Sequence, residues 1–218
     1  MLTTLLLEDL PDNVGVWMRR SLETNEVGRV RRAFLAARSI IGSNRWCPNA
    51  AARELLAQNR LAWACTDTKL DEIARVLFTL RAERLSSHPE IMMQQWFTSG
   101  GPDERRSVLR ALPLVSRPKQ HLELALSAAR GSDEMLVEAI GCENPYPAAY
   151  FGDHQFSELL DHMRELGLDP ARVLDATPRM AARFSWADSD RPGGVNGADT
   201  QRTSSRDGRS ASAEQAQD

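Results

Sequence analysis

Five side chains able to carry protons or charge crowd into one short stretch: Asp153, His154, Glu158, Asp161 and His162. On a helix, His154, Glu158, Asp161 and His162 fall at steps of four, three and one, so they share part of a face. A histidine near carboxylates is suited to general acid–base work, and His162 is the candidate base. Zinc-type ligation needs closer spacing, as in HExxH or ExxH, whereas these histidines stand eight residues apart. No metal or other cofactor is therefore expected. The other face of the same helix carries Phe156, Leu159, Leu160 and Met163, which makes a solvated outer surface the preferred reading of the charged cluster.

Arg130 is the other charged side chain with a distinctive position, directly before Gly131 at a helix end. There it can satisfy terminal carbonyls, or clamp a carboxylate or phosphate with its planar fork. The serines lack a GxSxG setting and no glycine-rich phosphate loop is present, which removes hydrolase and nucleotide-binding readings.

A third set of candidates lies in Gly141–Phe151, which holds both tyrosines of the chain. Pro145 and Pro147 fix φ, remove two backbone donors, and push Asn144 and Tyr146 towards extended conformations. The stretch reads as a non-helical bridge between two helical halves. Rigidly held aromatics offer stacking surface at low entropic cost, so Asn144, Tyr146, Tyr150 and Phe151 can orient a flat, partly polar molecule. The structural alternative is that Asn144 caps the turn while Tyr150 and Phe151 plug a helix junction.

The elements that must position these residues are helices. Val27, Val30, Phe34, Ala37 and Ile41 recur at three- and four-residue steps before Gly42, with Arg29, Arg31, Arg32 and Arg38 forming an outer basic run. Pro48 suits the start of a helix carrying Ala51, Ala52, Leu55 and Leu56. Asp67 or Thr68 is placed to cap the next, where Leu70, Ile73, Leu77 and Leu80 form a stripe with Asp71, Glu72, Arg75 and Arg81 opposite. Pro89 opens a helix with Met92 and Trp96 as core residues, ended by Gly100-Gly101, and Pro102-Asp103-Glu104 starts the one that Pro113 stops. Leu122–Ala129, a short helix capped by Ser132, one capped by Asp153, and a last turn at Pro170 complete the pattern. No stretch alternates with a period of two for more than a few residues. The expected fold is all-α: antiparallel helical hairpins stacked in a HEAT-like or α-α superhelical array over 1–186. After Trp186 the chain turns polar and glycine-rich, with Val195 its one branched apolar residue, so 187–218 is expected to be a disordered tail.

Composition narrows the function. A formal charge of −3 and a pI near 5.9 lack the concentrated basic face of a nucleic-acid binder. Cys47, Cys65 and Cys142 are odd in number and widely spaced, which suits free thiols in a reducing cytosol. Leu2, Leu5, Leu6 and Leu7 are cut off by Glu8 and Asp9, too short a run for a signal peptide, and no run approaches the ~18 apolar residues of a membrane span. A cytoplasmic protein without direct membrane insertion is expected.

The order of short strings is distinctive. Arg32–Arg38 leads to Ile41-Gly42, followed by Leu70-Asp71-Glu72-Ile73-Ala74-Arg75, Leu109-Arg110-Ala111-Leu112-Pro113, Arg130, Val137-Glu138-Ala139-Ile140 and finally Asn144-Pro145-Tyr146-Pro147-Ala148-Ala149-Tyr150-Phe151. Together they resemble EboA-type proteins of bacterial ebo gene clusters, over roughly residues 30 to 184. The resemblance implies an all-helical cytoplasmic component of a metabolite-trafficking system, working beside proteins from the same gene cluster, with no reaction attached. It also marks this chain as divergent: Ser132, Phe156, Ser157, Glu158 and His162 stand where the family pattern has other residues, and a polar tail replaces a further helix after Phe184.

Two function classes follow. One is a non-enzymatic interaction or small-molecule-carrier protein, with Arg130, Asn144, Tyr146, Tyr150, Phe151 and His162 as its ligand or partner contacts. The other is an enzyme acting on an aromatic or isoprenoid-like metabolite in a pocket between helices; a small hydrophobic or aromatic metabolite is the expected small-molecule partner. A helical transcription regulator is disfavoured by low basicity and the lack of a helix-turn-helix pattern.

Overall fold

The computed structural model describes residues 1–179. Glycine or proline marks many of the helix boundaries. The helices are α1 (Leu2–Glu8), α2 (Asp12–Glu23), α3 (Val27–Ile41), α4 (Ala50–Gln58), α5 (Leu70–Leu85), α6 (Pro89–Ser99), α7 (Pro102–Ala111), α8 (Leu122–Ala129), α9 (Glu134–Gly141), α10 (Pro145–Tyr150) and α11 (Asp153–Glu165). Short 3₁₀ turns lie at Ala62–Cys65, Leu112–Leu114, Pro118–His121 and Pro170–Arg172. Among the described residues the only strand-like pairings are isolated bridges, Arg45 with Lys69 and Cys142 with Val173. The fold is all-α. The expected tail at 187–218 lies outside the described residues.

Alternate helices make an inner row. α3 packs on α5, α5 on α7 and α7 on α9, while α2, α6 and α8 pack against members of that row from outside. Stacked helical hairpins produce this two-layer pattern, since each hairpin buries one apolar face against its neighbour. Close approach continues at the end of the row: a Cβ added at Gly141 would sit 3.0 Å from the Met163 sulfur of α11.

The middle position of α5 overrides its sequence pattern. Ile73, Ala74, Val76, Phe78 and Ala82 are buried, and so are Asp71, Glu72, Arg75, Thr79 and Glu83. The side expected to be merely opposite the apolar stripe is covered because α5 is flanked on both sides by the row. Its charges are then tolerable only if paired. The Arg75 guanidinium donates to Asp71 Oδ2 at 2.7 Å and to the Phe34 carbonyl at 3.2 Å. Arg81 is half-buried and donates to the Thr24 carbonyl at 2.9 Å. In α3, Arg31 departs from the outer basic run: its guanidinium lies 4.7 Å from the Trp96 ring centroid and 5.2 Å from that of Phe34.

Several caps differ by a residue or two from the sequence expectation. Asn49 caps α4, with its side chain accepting from Ala52 N at 2.9 Å. Lys69 precedes α5, because the Thr68 hydroxyl instead donates to the Trp63 carbonyl at 2.6 Å and Asp67 takes a positive φ. Asp133 rather than Ser132 caps α9. Gly152 precedes α11 with its N–H bonded to the Gln155 side chain, so Asp153 is the first helical residue and its carboxylate pairs with Arg179 at 2.7 Å.

Candidate functional site

The turn expected to be non-helical is itself a helix, α10. Pro145 and Pro147 occupy its first and third positions, where backbone N–H groups have no intrahelical partner and their loss costs nothing. Asn144 is extended, as the residue before a proline should be, while Tyr146 is helical despite preceding Pro147. Asn144 is fully buried as the N-cap. Its carbonyl oxygen accepts from Tyr146 N at 3.0 Å, and its amide donates to Ala139 O at 2.9 Å and Leu109 O at 3.4 Å. One side chain therefore ties α10 to both α7 and α9.

The aromatics follow from that helix. Tyr146 is fully buried, its hydroxyl donates to the Pro118 carbonyl at 2.6 Å, and burial pushes that phenol well above its ordinary pKa. Tyr150, one turn later, packs against it with the rings tilted by 48° and their centroids 4.8 Å apart, and Phe151 meets it edge-on at 6.2 Å. Phe151 is buried, whereas Tyr150 is half-buried and lines an open cleft of about 210 Å³ with Asn59, Arg60, Pro113, Leu114, Pro145 and Ala149.

Directly beside α10 runs a chain of charged groups that sequence reasoning did not assemble. Glu72 of α5 accepts from Arg106 of α7 at 2.9 Å; Arg106 also reaches Glu138 of α9 at 3.5 Å. Arg172 closes the series, donating to Glu138 at 2.9 Å and to both oxygens of Glu143 at 2.7 and 3.0 Å. Arg110, fully enclosed, donates to the Cys142 carbonyl at 2.6 Å and lies 5.4 Å from the Trp63 ring centroid. Desolvation lowers its pKa to about 10, and its Nε has no partner among the described residues. Burial likewise raises the Cys142 thiol to about 11. A signal was available: Glu72, Arg110, Glu138 and Asn144 all stand in the strings that carry the family resemblance, at positions a lone amphipathic helix would turn to solvent or core indifferently.

Arg130 and His162 come together elsewhere, at a cleft of about 220 Å³ between α8 and α11 lined also by Leu126, Gln155, Glu158 and Leu159. Arg130, at the end of α8, donates to Glu158 at 2.9 Å with side chains 56% and 42% exposed, and that bond holds the Glu158 carboxyl below its usual range. His162 Nε2 lies 2.9 Å from the Gly131 carbonyl and Nδ1 3.2 Å from Glu165. The Gly131 carbonyl, then Glu165, raise its pKa above the ordinary histidine value. His154 lies 3.4 Å from Glu158 but does not line the cleft. The predicted site residues thus fall in two places: Asn144, Tyr146, Tyr150 and Phe151 at the α10 junction, Arg130 and His162 at the α8–α11 cleft.

A family model described as metabolite traffic protein EboA matches residues 1–163. The chain belongs to the EboA family. The match reaches the N-terminus, beyond the strings in which the resemblance is visible by eye, and ends inside α11 at Met163, one residue after His162. No curated protein and no solved structure matches. The distinctive Asn-Pro-Tyr-Pro string of this EboA-family chain is thus the cap and first turn of α10. Among the described residues no helix is long and apolar enough to cross a membrane.

Proposed function

We propose that this chain is a non-enzymatic helical interaction or small-molecule-carrier protein that supports the traffic of a secondary metabolite, acting in the cytoplasm beside other proteins of its gene cluster. Membership of a family described as metabolite traffic proteins supplies the general role. The observation that carries the finer reading is where the motif's polar groups are spent. Asn144, Glu72, Arg110 and Glu138 bond to neighbouring helices, helix ends or turns, so the family strings build a framework and leave the exposed clefts for contact. A rigid array with shallow open clefts suits holding a partner or a small ligand without remodelling it. The test is deletion of the gene in its host, with the metabolite made by neighbouring gene products followed inside and outside the compartment where it forms. Retention at its place of synthesis with unchanged total yield supports the reading; wild-type distribution in the deletion strain overturns it.

One observation favours the enzymatic alternative: a cation, a carboxylate and an imidazole converge at the α8–α11 cleft. If that cleft performs a reaction, Arg130→Ala or His162→Ala abolishes conversion of the metabolite while leaving its binding partners in place. Unaltered conversion by both variants removes the alternative.

A further inference from the structure

Helix α4 ends in a hydrogen-bond pattern that normally requires glycine. Leu61 N donates to Leu56 O at 2.8 Å and Arg60 N to Ala57 O at 3.0 Å, the paired 6→1 and 5→2 bonds of a Schellman close. Leu56 and Leu61 are both buried, supplying the apolar contact that accompanies it. The residue between cap and core must take a left-handed conformation, and here that residue is Arg60, at φ 58°. The chain closes α11 by the same two bonds, Leu168 N to Met163 O and Gly167 N to Arg164 O, and there it uses Gly167 at φ 76°. An arginine at the first position accepts conformational strain that glycine avoids.

The Arg60 side chain lines the cleft that Tyr150 also lines. Its surroundings distinguish it from the other cationic clefts. Arg130 is already paired with Glu158, and the cleft containing Arg38 and Arg75 includes Asp103 and Glu104. Arg60 has no ion pair or side-chain hydrogen bond among the described residues, and no Asp or Glu lines its cleft. An anion entering there displaces no carboxylate. The remaining walls are largely apolar: the pyrrolidine rings of Pro113 and Pro145, the Leu114 and Ala149 side chains, and the ring of Tyr150. Tyr150 is backed by Tyr146, which its hydroxyl bond to Pro118 holds in place, so the half-buried Tyr150 ring offers the cleft a preset face. The Asn59 amide is occupied with the Leu55 carbonyl at 2.8 Å, leaving its oxygen to accept from an N–H or O–H. At about 210 Å³ the cleft is smaller than the roughly 300–1,000 Å³ of drug-sized sites, which fits one or two fused rings.

The geometry points to the Arg60–Tyr150 cleft as a binding site for a small planar aromatic carboxylate, its ring stacked on Tyr150 and its carboxylate paired with Arg60. The site rests on the carrier reading for its biological sense and names the ligand class that reading leaves open. The full chain is titrated with indole-3-carboxylate, with uncharged indole and with non-planar cyclohexanecarboxylate, by calorimetry and by NMR. Expected is saturable binding of indole-3-carboxylate, about millimolar at ordinary ligand efficiency for so small a probe, with both controls weaker by roughly tenfold. Arg60→Gly loses roughly tenfold in affinity while its Tm equals or exceeds that of the wild type, since glycine is at ease at this φ. Tyr150→Leu folds and loses binding as well. Equal binding of indole and its carboxylate, undiminished affinity in Arg60→Gly, or no saturation by indole-3-carboxylate at millimolar concentration overturns the site. The host strain separates this failure from that of the broader reading. Arg60→Gly with normal metabolite distribution, beside a deletion strain with altered distribution, removes the site and keeps the trafficking role.

Discussion

Replacing Asn144 with alanine removes three bonds from one buried point, and the structure sets what each was worth. The first is the cap: Tyr146 N loses its acceptor, a change of about 1 kcal/mol for a helix N-terminus. The second is the bond to Ala139 O in the last turn of α9. Glu143, four residues on, donates its N–H to the Arg172 carbonyl at 2.8 Å instead, so Asn144 is the donor that serves Ala139. Leaving that buried carbonyl bare costs about 1–3 kcal/mol. The third, to Leu109 O, is long at 3.4 Å, and Leu109 also accepts from Leu112 N, so its loss adds little. The sum is about 3 kcal/mol, or roughly 6–12 °C in Tm for a domain of this size. Asn144→Asp has nearly the same shape and keeps the acceptor for Tyr146 N, yet turns a carboxylate towards two carbonyls. Its folded pKa is therefore raised above the unfolded value near ~3.9, so the carboxyl is harmless at low pH and destabilising as pH rises through the folded pKa. Urea denaturation of the wild type and both variants at pH 4.5 and 7.5 measures this. A loss under about 1 kcal/mol in Asn144→Ala, or a pH-independent Asn144→Asp, would show that these bonds do not hold α10 in place.

Three other outcomes are expected. His162 has a raised folded pKa, so its bonds to Gly131 O and Glu165 stabilise the fold fully below about pH 6.5 and lose that effect as pH rises through the higher folded value. The Tm gap between wild type and His162→Leu should accordingly be larger at pH 5.5 than at pH 8.5; a constant gap contradicts it. Thiol labelling of the native chain should modify exposed Cys47 rapidly and Cys142 only on unfolding, because Cys142 is buried with its pKa raised to about 11. Arg172→Ala should destabilise by about 1–2 kcal/mol, since its fork bridges Glu138 and Glu143 in a partly buried network, while Arg38→Ala, which removes an exposed pair with Asp103, should cost under about 0.5 kcal/mol. Matching losses by equilibrium denaturation would show that burial of the network adds nothing.

Much of the helical plan was legible locally. Pro89, Pro102, Gly100-Gly101 and Gly131 stand at or beside helix ends because proline and glycine act through their own backbone geometry, whatever surrounds them. The cap of α10 by Asn144 was readable for the same reason: a short polar side chain before proline has one good local use. What misled was context within one or two residues. Thr68 looked like a cap until its hydroxyl met the Trp63 carbonyl, and two prolines looked like a helix breaker although both fit the first turn of α10.

By itself the sequence determined the all-α class, most helix boundaries and the family. Each depends on periodicity and on residue order along the chain. Only the tertiary structure decided which charges are interior. A carboxylate at position 72 looks the same to its neighbours in sequence whether α5 lies at the edge or in the middle of the row. Once α3 and α7 cover both its sides, Asp71, Glu72 and Arg75 are buried and must find partners 4 to 41 residues away. The same holds for the candidate sites. The tertiary fold sends Arg130 and His162 to one cleft and Tyr150 to another, and it brings Arg60, which nothing near it in sequence singles out, to the rim beside Tyr150. Distances across a packed row are set by which helices neighbour one another, and that is a property of the whole core rather than of any one segment.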